Sequence, residues 1–202
     1  MTLHVARPRD LVQLAVLGLL CEQPRHPYDM LRTLRVRGND AFVTGLPRSI
    51  YHAVEHLVAA GFAEAGRSER EGARPERTVY QATDEGRTEF RFRLQTLLSR
   101  PSDPATFHAA LSLIGGLDAK DATWSLRSRL AALDGEVAQL DATYRGMLPQ
   151  VPRLYLVEAE YLRAQLASEI AFVRGLVEDV EAGRLVWPDW QGPAAGPGGD
   201  EA

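Results

Sequence analysis

The chain reads as mainly α, with three helices and a β-hairpin in its first half and only helices in its second. Three observations carry that expectation. Apolar residues recur at helical spacing through most of the 202 residues. Two short β-prone segments, 62–67 and 77–82, flank a charged, turn-rich stretch containing Gly72 and Pro75. Two prolines with Ser102 and Asp103 then interrupt the chain at 101–104, and no strand signal follows. The expected units are 1–100, a helical region 101–187, and a disordered tail 188–202 rich in Gly, Pro and Ala.

The first helix is expected to start at a capping Asp10. It runs through Leu11, Leu14, Leu17 and Gly18 to Cys21, a nearly all-apolar segment that has to be deeply buried. Pro24 stops it and Pro27 starts a second, in which Tyr28, Leu31 and Leu34 share a face. There Asp29 sits in the first turn, and Arg32, Arg35 and Arg37 precede Gly38, charges that suit both ends of the helix dipole. The third, PRSIYHAVEHLVAAG, spans Pro47 to Gly61. Ile50, Val54, Leu57 and Val58 form its apolar stripe, while Arg48, Ser49, Tyr51, His52 and Glu55 occupy the other face. Three short helices, the last with a polar outer face, are the pattern of a helix-turn-helix core. The hairpin follows directly, with Arg67, Arg70, Arg74 and Arg77 around its tip. Thr83 or Asp84 caps a fourth helix to about Ser99, with Phe90, Leu94, Leu97 and Leu98 on one side.

Composition narrows the function classes. Hydrophobic residues make up 45% and charged residues 25%, ordinary for a globular protein. No apolar run is long enough to span a membrane and the N-terminus lacks a secretory core, so a cytoplasmic location is expected. One cysteine, Cys21, excludes an internal disulfide and supplies too few ligands for a cysteine metal site. The net charge of −4 hides an asymmetry. Residues 1–100 hold 15 Arg and no Lys against 12 acidic residues, an excess of three positive charges; the remainder holds 8 basic against 15 acidic, an excess of seven negative. A polyanion is therefore expected to meet the first half.

In the second half a short helix contains Phe107, Leu111 and Ile114 and ends at Gly115 and Gly116. Leu126, Leu130, Leu133, Val137, Leu140, Tyr144 and Met147 then follow alternating steps of four and three, a heptad seam. After Pro149 and Pro152 a second seam runs through Tyr155, Ala159, Leu162, Leu166, Ile170, Val173, Val177 and Val180. Two such helices joined by a proline turn pack antiparallel. Each can bury its seam on the other, but two helices make a thin core. A homodimer is therefore expected, with Leu126, Leu130, Leu133, Val137, Leu140, Leu166, Ile170, Val173 and Val177 at its centre.

The first hundred residues resemble the PadR family of bacterial transcriptional regulators. LAVLGLLCEQPRHPYDMLRTL is similar to that family's first two helices, PRSIYHAVEHLVAAGFAEA to its recognition helix and first strand, and RTVYQATDEGR to its second strand and following helix. The resemblance implies a winged helix-turn-helix repressor that binds palindromic operator DNA as a homodimer through an all-α C-terminal dimerisation region. It also implies that Tyr28, Ser49, Tyr51, His52, Arg74 and Arg77 occupy DNA-facing positions. Arg48 joins them on chemical grounds, because near the helix N-terminus it can reach a phosphate or fork onto guanine, a contact that discriminates by about 1–3 kcal/mol. Release by a small apolar or aromatic effector, bound between the halves or at the dimer interface, is a further implication; Trp124, Tyr155 and Phe172 are the candidates to line that pocket. No cofactor and no metal are expected.

Two other classes compete. His52, Glu55 and His56 have the HxxEH spacing of a zinc hydrolase, but such a site needs a third ligand, a cleft and a buried zinc helix. A winged fold that binds proteins instead of DNA is the second, prompted by the scarcity of cations on the third helix.

Overall fold

The computed structural model describes residues 7–39, 48–69 and 77–187. The chain is mainly helical with one small hairpin: α1 (Pro8–Glu22), α2 (Pro27–Val36), α3 (Arg48–Ala59), β1 (Ala63–Glu69), β2 (Arg77–Ala82), α4 (Asp84–Ser99), α5 (Pro104–Ser112), α6 (Ala119–Met147) and α7 (Val157–Glu181). The winged-helix pattern expected of the first half is present.

The apolar α1 lies at the centre. Leu14, Ala15, Val16, Leu17, Leu19 and Leu20 are essentially solvent-free, and α3, α4 and β2 pack around them. Asp10 does not cap this helix. Arg7 holds the cap position and Pro8 the first turn, where its fixed φ favours a helix start; Asp10 falls inside the first turn, where its charge suits the dipole. Phe90 of α4 wedges against α1 at Gly18, where a Cβ would stand 2.9 Å from the ring, so only glycine admits this approach. Cys21 is buried, and burial pushes its thiol up to about 11, which leaves it an inert structural group.

The stripe that seats α3 differs by one residue from the expected one. Ile50, Val54 and Leu57 are buried with Ala53, whereas Val58 is 39% exposed. The core contact therefore follows i, i+3, i+4, i+7, a narrower face than one including i+8. Gly61, at φ +77°, ends the helix in the left-handed region. The hairpin starts one residue later than expected, at Ala63, because Phe62 turns its ring onto the core. It pairs Ala63 with Ala82 and Glu64 with Gln81, and a bulge separates Ala65 from Ser68. Thr83 is the cap of α4, its hydroxyl accepting from the Gly86 amide at 3.0 Å. Gly86 has no room for a Cβ, which would overlap the Phe62 carbonyl.

At the helical break Asp103 caps α5 by accepting from the Ala105 and Thr106 amides, each at 3.1 Å. Burial raises its carboxyl, but these bonds and the Thr106 hydroxyl outweigh that and hold it below the usual carboxylate range. The helices α6 and α7 pack along one another and close the heptad seams within the single chain. Leu133, Leu166 and Ile170 form a cluster with Leu130, Val137, Leu140 and Leu162, while Leu126, Val173 and Val177 belong to the main core. Of the residues expected at the centre of a dimer, Leu126, Leu133, Leu166, Ile170, Val173 and Val177 are buried by their own chain, while Leu130, Val137 and Leu140 are only partly covered. Met147 and Tyr155, at the ends of the two seams, are exposed, because the chain turns away there through a 3₁₀ segment, Arg153–Leu156. Trp187 fastens the far end of α7, its indole donating to the Leu117 carbonyl at 2.8 Å. Trp190 lies outside the described residues.

One buried charge joins the halves. Arg129 of α6 is 0% exposed; it donates to Glu169 of α7 at 2.6 Å and to the Arg100 carbonyl after α4, and it stacks 3.7 Å from the Phe107 ring of α5. Seam spacing passes this residue by, because it lies one step from the Leu126–Leu130 row.

Candidate nucleic-acid interface

The two helices that would face DNA are fixed from behind. The His26 ring caps α2 by accepting from the Tyr28 amide at 3.1 Å, which sets Tyr28 in the first turn with its side chain 58% exposed. At the other end Arg37 grips Glu22 of α1 with two nitrogens, and Arg25 donates to both Glu22 (3.0 Å) and Thr33 (3.1 Å). Tyr80 of β2 exchanges a pair of 2.9 Å backbone hydrogen bonds with Arg25, so the α1–α2 turn is also tied to the hairpin.

Burial of Ile50, Ala53, Val54 and Leu57 turns the opposite side of α3 to solvent. Arg48 and Tyr51 are exposed there, next to His52. The ring of His52 lies 3.1 Å from Glu55, both side chains being well exposed. Ser49 sits on the flank toward α1. Its hydroxyl is buried without a partner, in a groove of about 440 Å³ that also includes Arg9, Gln13, His52 and His56. Gln81 donates to Glu64 at 2.7 Å across the hairpin. Arg74 lies outside the described residues, as does the side chain of Arg77, although Arg77 itself begins β2.

The HxxEH residues lie on an open helix face, with Glu55 turned back on His52, unlike the buried zinc helix a hydrolase needs. Among the described residues no group of three or more His, Cys, Asp or Glu could hold a metal ion. No helix among them is long and apolar enough to cross a membrane.

Trp124, Tyr155 and Phe172 are exposed and are not brought together. Trp124 is in the second turn of α6, Tyr155 is in the turn at the opposite end of that helix, and Phe172 is midway along α7. With a rise of about 1.5 Å per residue, the first two stand some tens of ångströms apart. A different cavity, about 410 Å³, opens between α1, α2, α4 and the segment after α5, and Arg25, Arg37, Arg87 and Arg91 line it. Sequence spacing does not bring these four together, because Arg25 lies in the α1–α2 turn, Arg37 just after α2, and Arg87 and Arg91 on α4.

Residues 16–92 match the model of a family described as Transcriptional regulator PadR-like family. No curated protein matches the chain. Among solved structures, the chain is similar to Bacillus subtilis PadR in complex with operator DNA, at 18% identity, covering 84% of this chain and 99% of that one with a TM-score of 0.38. It is similar to the PadR-like regulator BC1756 from Bacillus cereus at 20% identity, covering 88% and 99%, again with a TM-score of 0.38. Bacillus subtilis PadR in complex with p-coumaric acid aligns at 16% identity, covering 85% and 99%, with a TM-score of 0.36.

Proposed function

We propose that this member of the PadR-like family of transcriptional regulators is a repressor that binds palindromic operator DNA as a homodimer and is released by a small molecule. The family is one of regulators, not enzymes. The observation that carries the DNA-binding reading is the exposed N-terminal face of α3, where Arg48, Tyr51 and His52 are presented on a buried, apolar footing, with Tyr28 exposed in the first turn of α2. A helix held in this way can enter a major groove and offer a guanidinium, a phenol and an imidazole to base edges. In this reading Arg74 and Arg77 of the wing supply phosphate contacts, whereas the Ser49 hydroxyl is buried on the flank toward α1 and stays out of the groove. Residues 1–100 serve as the DNA-binding part, 101–187 as the dimerisation part, and the protein acts in the cytoplasm.

Since the seams are filled within one chain, the second copy is expected on the outer sides of α6 and α7, where Trp124, Tyr161 and Phe172 are exposed. Two α3 helices would then read half-sites about one DNA turn apart. A second reading, a winged fold that binds protein, draws on the single cation of the α3 face, Arg48, offset by Glu55. Sequencing the genomic DNA that the purified protein retains separates the two. Enrichment of an inverted repeat is the expected result; recovery of random fragments would support the protein-binding module.

A further inference from the structure

The cavity of about 410 Å³ between α1, α2, α4 and the segment after α5 carries an unbalanced charge. Four guanidinium groups line it, those of Arg25, Arg37, Arg87 and Arg91, against one carboxylate, Glu22. Glu22 is already divided between Arg25 and Arg37. Arg87 spends one nitrogen on the Cys21 carbonyl at 2.7 Å, and Arg91 is exposed at the rim. Arg25, whose side chain is only 13% exposed, has a buried Nε without any acceptor. Its terminal nitrogens are held by Thr33 and Glu22, so Arg25 contributes charge to the cleft, while the remaining nitrogens of Arg87 and the exposed Arg91 are the donors a ligand can reach. The rest of the wall is mixed, with the apolar Leu19, Leu34, Phe90 and Leu113 beside Gln23 and the hydrogen-bonded pair Asn39 and Ser112.

We infer that this cleft binds a small organic phosphate ester. Three positive charges in excess favour a ligand with at least two negative charges over a monocarboxylate. Guanidinium forks match phosphate oxygens two at a time. The volume exceeds that of a bare phosphate, and the leucine and phenylalanine wall suits an apolar or flat ester body. The depth of Arg25 keeps a DNA backbone out, so the ligand is a small molecule. Occupancy bears on the DNA-facing elements as well: Arg25 holds Thr33 of α2 through its side chain and Tyr80 of β2 through its backbone, and Arg37 ends α2. That consequence rests on the DNA-binding reading; the binding itself does not.

Isothermal titration of the full chain with phenyl phosphate, benzoate, inorganic phosphate and citrate tests the assignment. One site is expected for phenyl phosphate, at least about tenfold tighter than for benzoate, which lacks the second charge, or for inorganic phosphate, which lacks the ring. Arg91→Gln, at an exposed position where folding is safe, weakens it about tenfold, and Arg91→Lys retains most of it. Absence of saturable binding, equal binding of benzoate, tighter binding of citrate, or indifference to Arg91→Gln would each overturn the assignment. A gel-retardation assay with and without phenyl phosphate then reads the DNA consequence separately, so a protein that fails to bind DNA still leaves the titration decisive.

Discussion

In the N-terminal half, α1 is covered on every side by α3, α4 and the hairpin, and its leucines are essentially solvent-free. The pair α6–α7 is covered on one side only. Its seam is dry at Leu126, Leu133, Val173 and Val177, yet Trp124, Tyr161 and Phe172 remain in solvent on the outer faces. Ion pairs line the exposed edge, Arg163 with Asp141 at 2.6 Å and Arg127 with Glu181 at 2.5 Å. Exposed pairs of this kind contribute about 0–1 kcal/mol each, so they set the register of the helices more than they hold them together. The contrast is between a central helix buried along nearly its whole length and a helix pair whose outer faces carry exposed aromatic residues suited to a further partner.

The largest expected effect falls where the two regions meet. Arg129→Ala leaves Glu169 without its partner and removes the stack on Phe107. It should cost about 3–5 kcal/mol in chemical denaturation. A loss under about 1 kcal/mol would mean that the halves are not joined through this residue. Next come paired truncations: Leu20→Ala in α1 should cost about 2–5 kcal/mol, and Leu140→Ala, only partly buried in the helix pair, clearly less. Equal losses would erase the distinction between the regions. Thr83→Ala, which removes the cap of α4, should cost about 1 kcal/mol.

Smaller still for the monomer is the double change Trp124→Ser with Phe172→Ser, within about 0.5 kcal/mol because both side chains are exposed. In sedimentation experiments the same change should shift the protein toward monomer. An unchanged association would place the partner surface elsewhere. The last prediction concerns pH. Hydrogen bonds from Arg153 and Tyr144 pull Glu160, at the α6–α7 turn, down from 4.5 to about 2. A depressed carboxylate stabilises the fold above its unfolded value and loses that contribution as pH falls through the folded one. The melting advantage of the wild type over Glu160→Gln should therefore be full above about pH 4.5 and fade toward pH 2. An advantage that grows on acidification would reverse the assignment.

Much of the fold was legible because local rules and packing agree. Pro27, Thr83 and Pro104 start helices where their chemistry says they should, and the hairpin strand 77–82 has the expected bounds. Misreadings arose where two rules competed. Asp10 is a good cap, but Pro8 two residues earlier is a better helix start. Val58 fits the apolar period, yet the face that meets α1 is too narrow to take it. For the site, periodicity placed Tyr51 and His52 outward, and Ser49 lies at the edge of that face because on the helix wheel it falls between the buried Ala53 and the exposed His56. What spacing could not show is convergence in space. Trp124, Tyr155 and Phe172 share an aromatic character but not a location, while Arg25 and Arg37, far from α4 in sequence, meet the i, i+4 pair Arg87 and Arg91 in one cleft.

The regulatory role proposed for this protein turns on whether the exposed face of α3 reads DNA. Its most direct test is a retardation titration of the protein against its own upstream DNA at stepped salt concentrations, with Arg48→Ala and Tyr51→Ala alongside. Tight binding at low salt that falls steeply as salt rises is expected, with both variants losing preference for that DNA over a random duplex. No retardation at low salt, or the same preference in both variants, would contradict it.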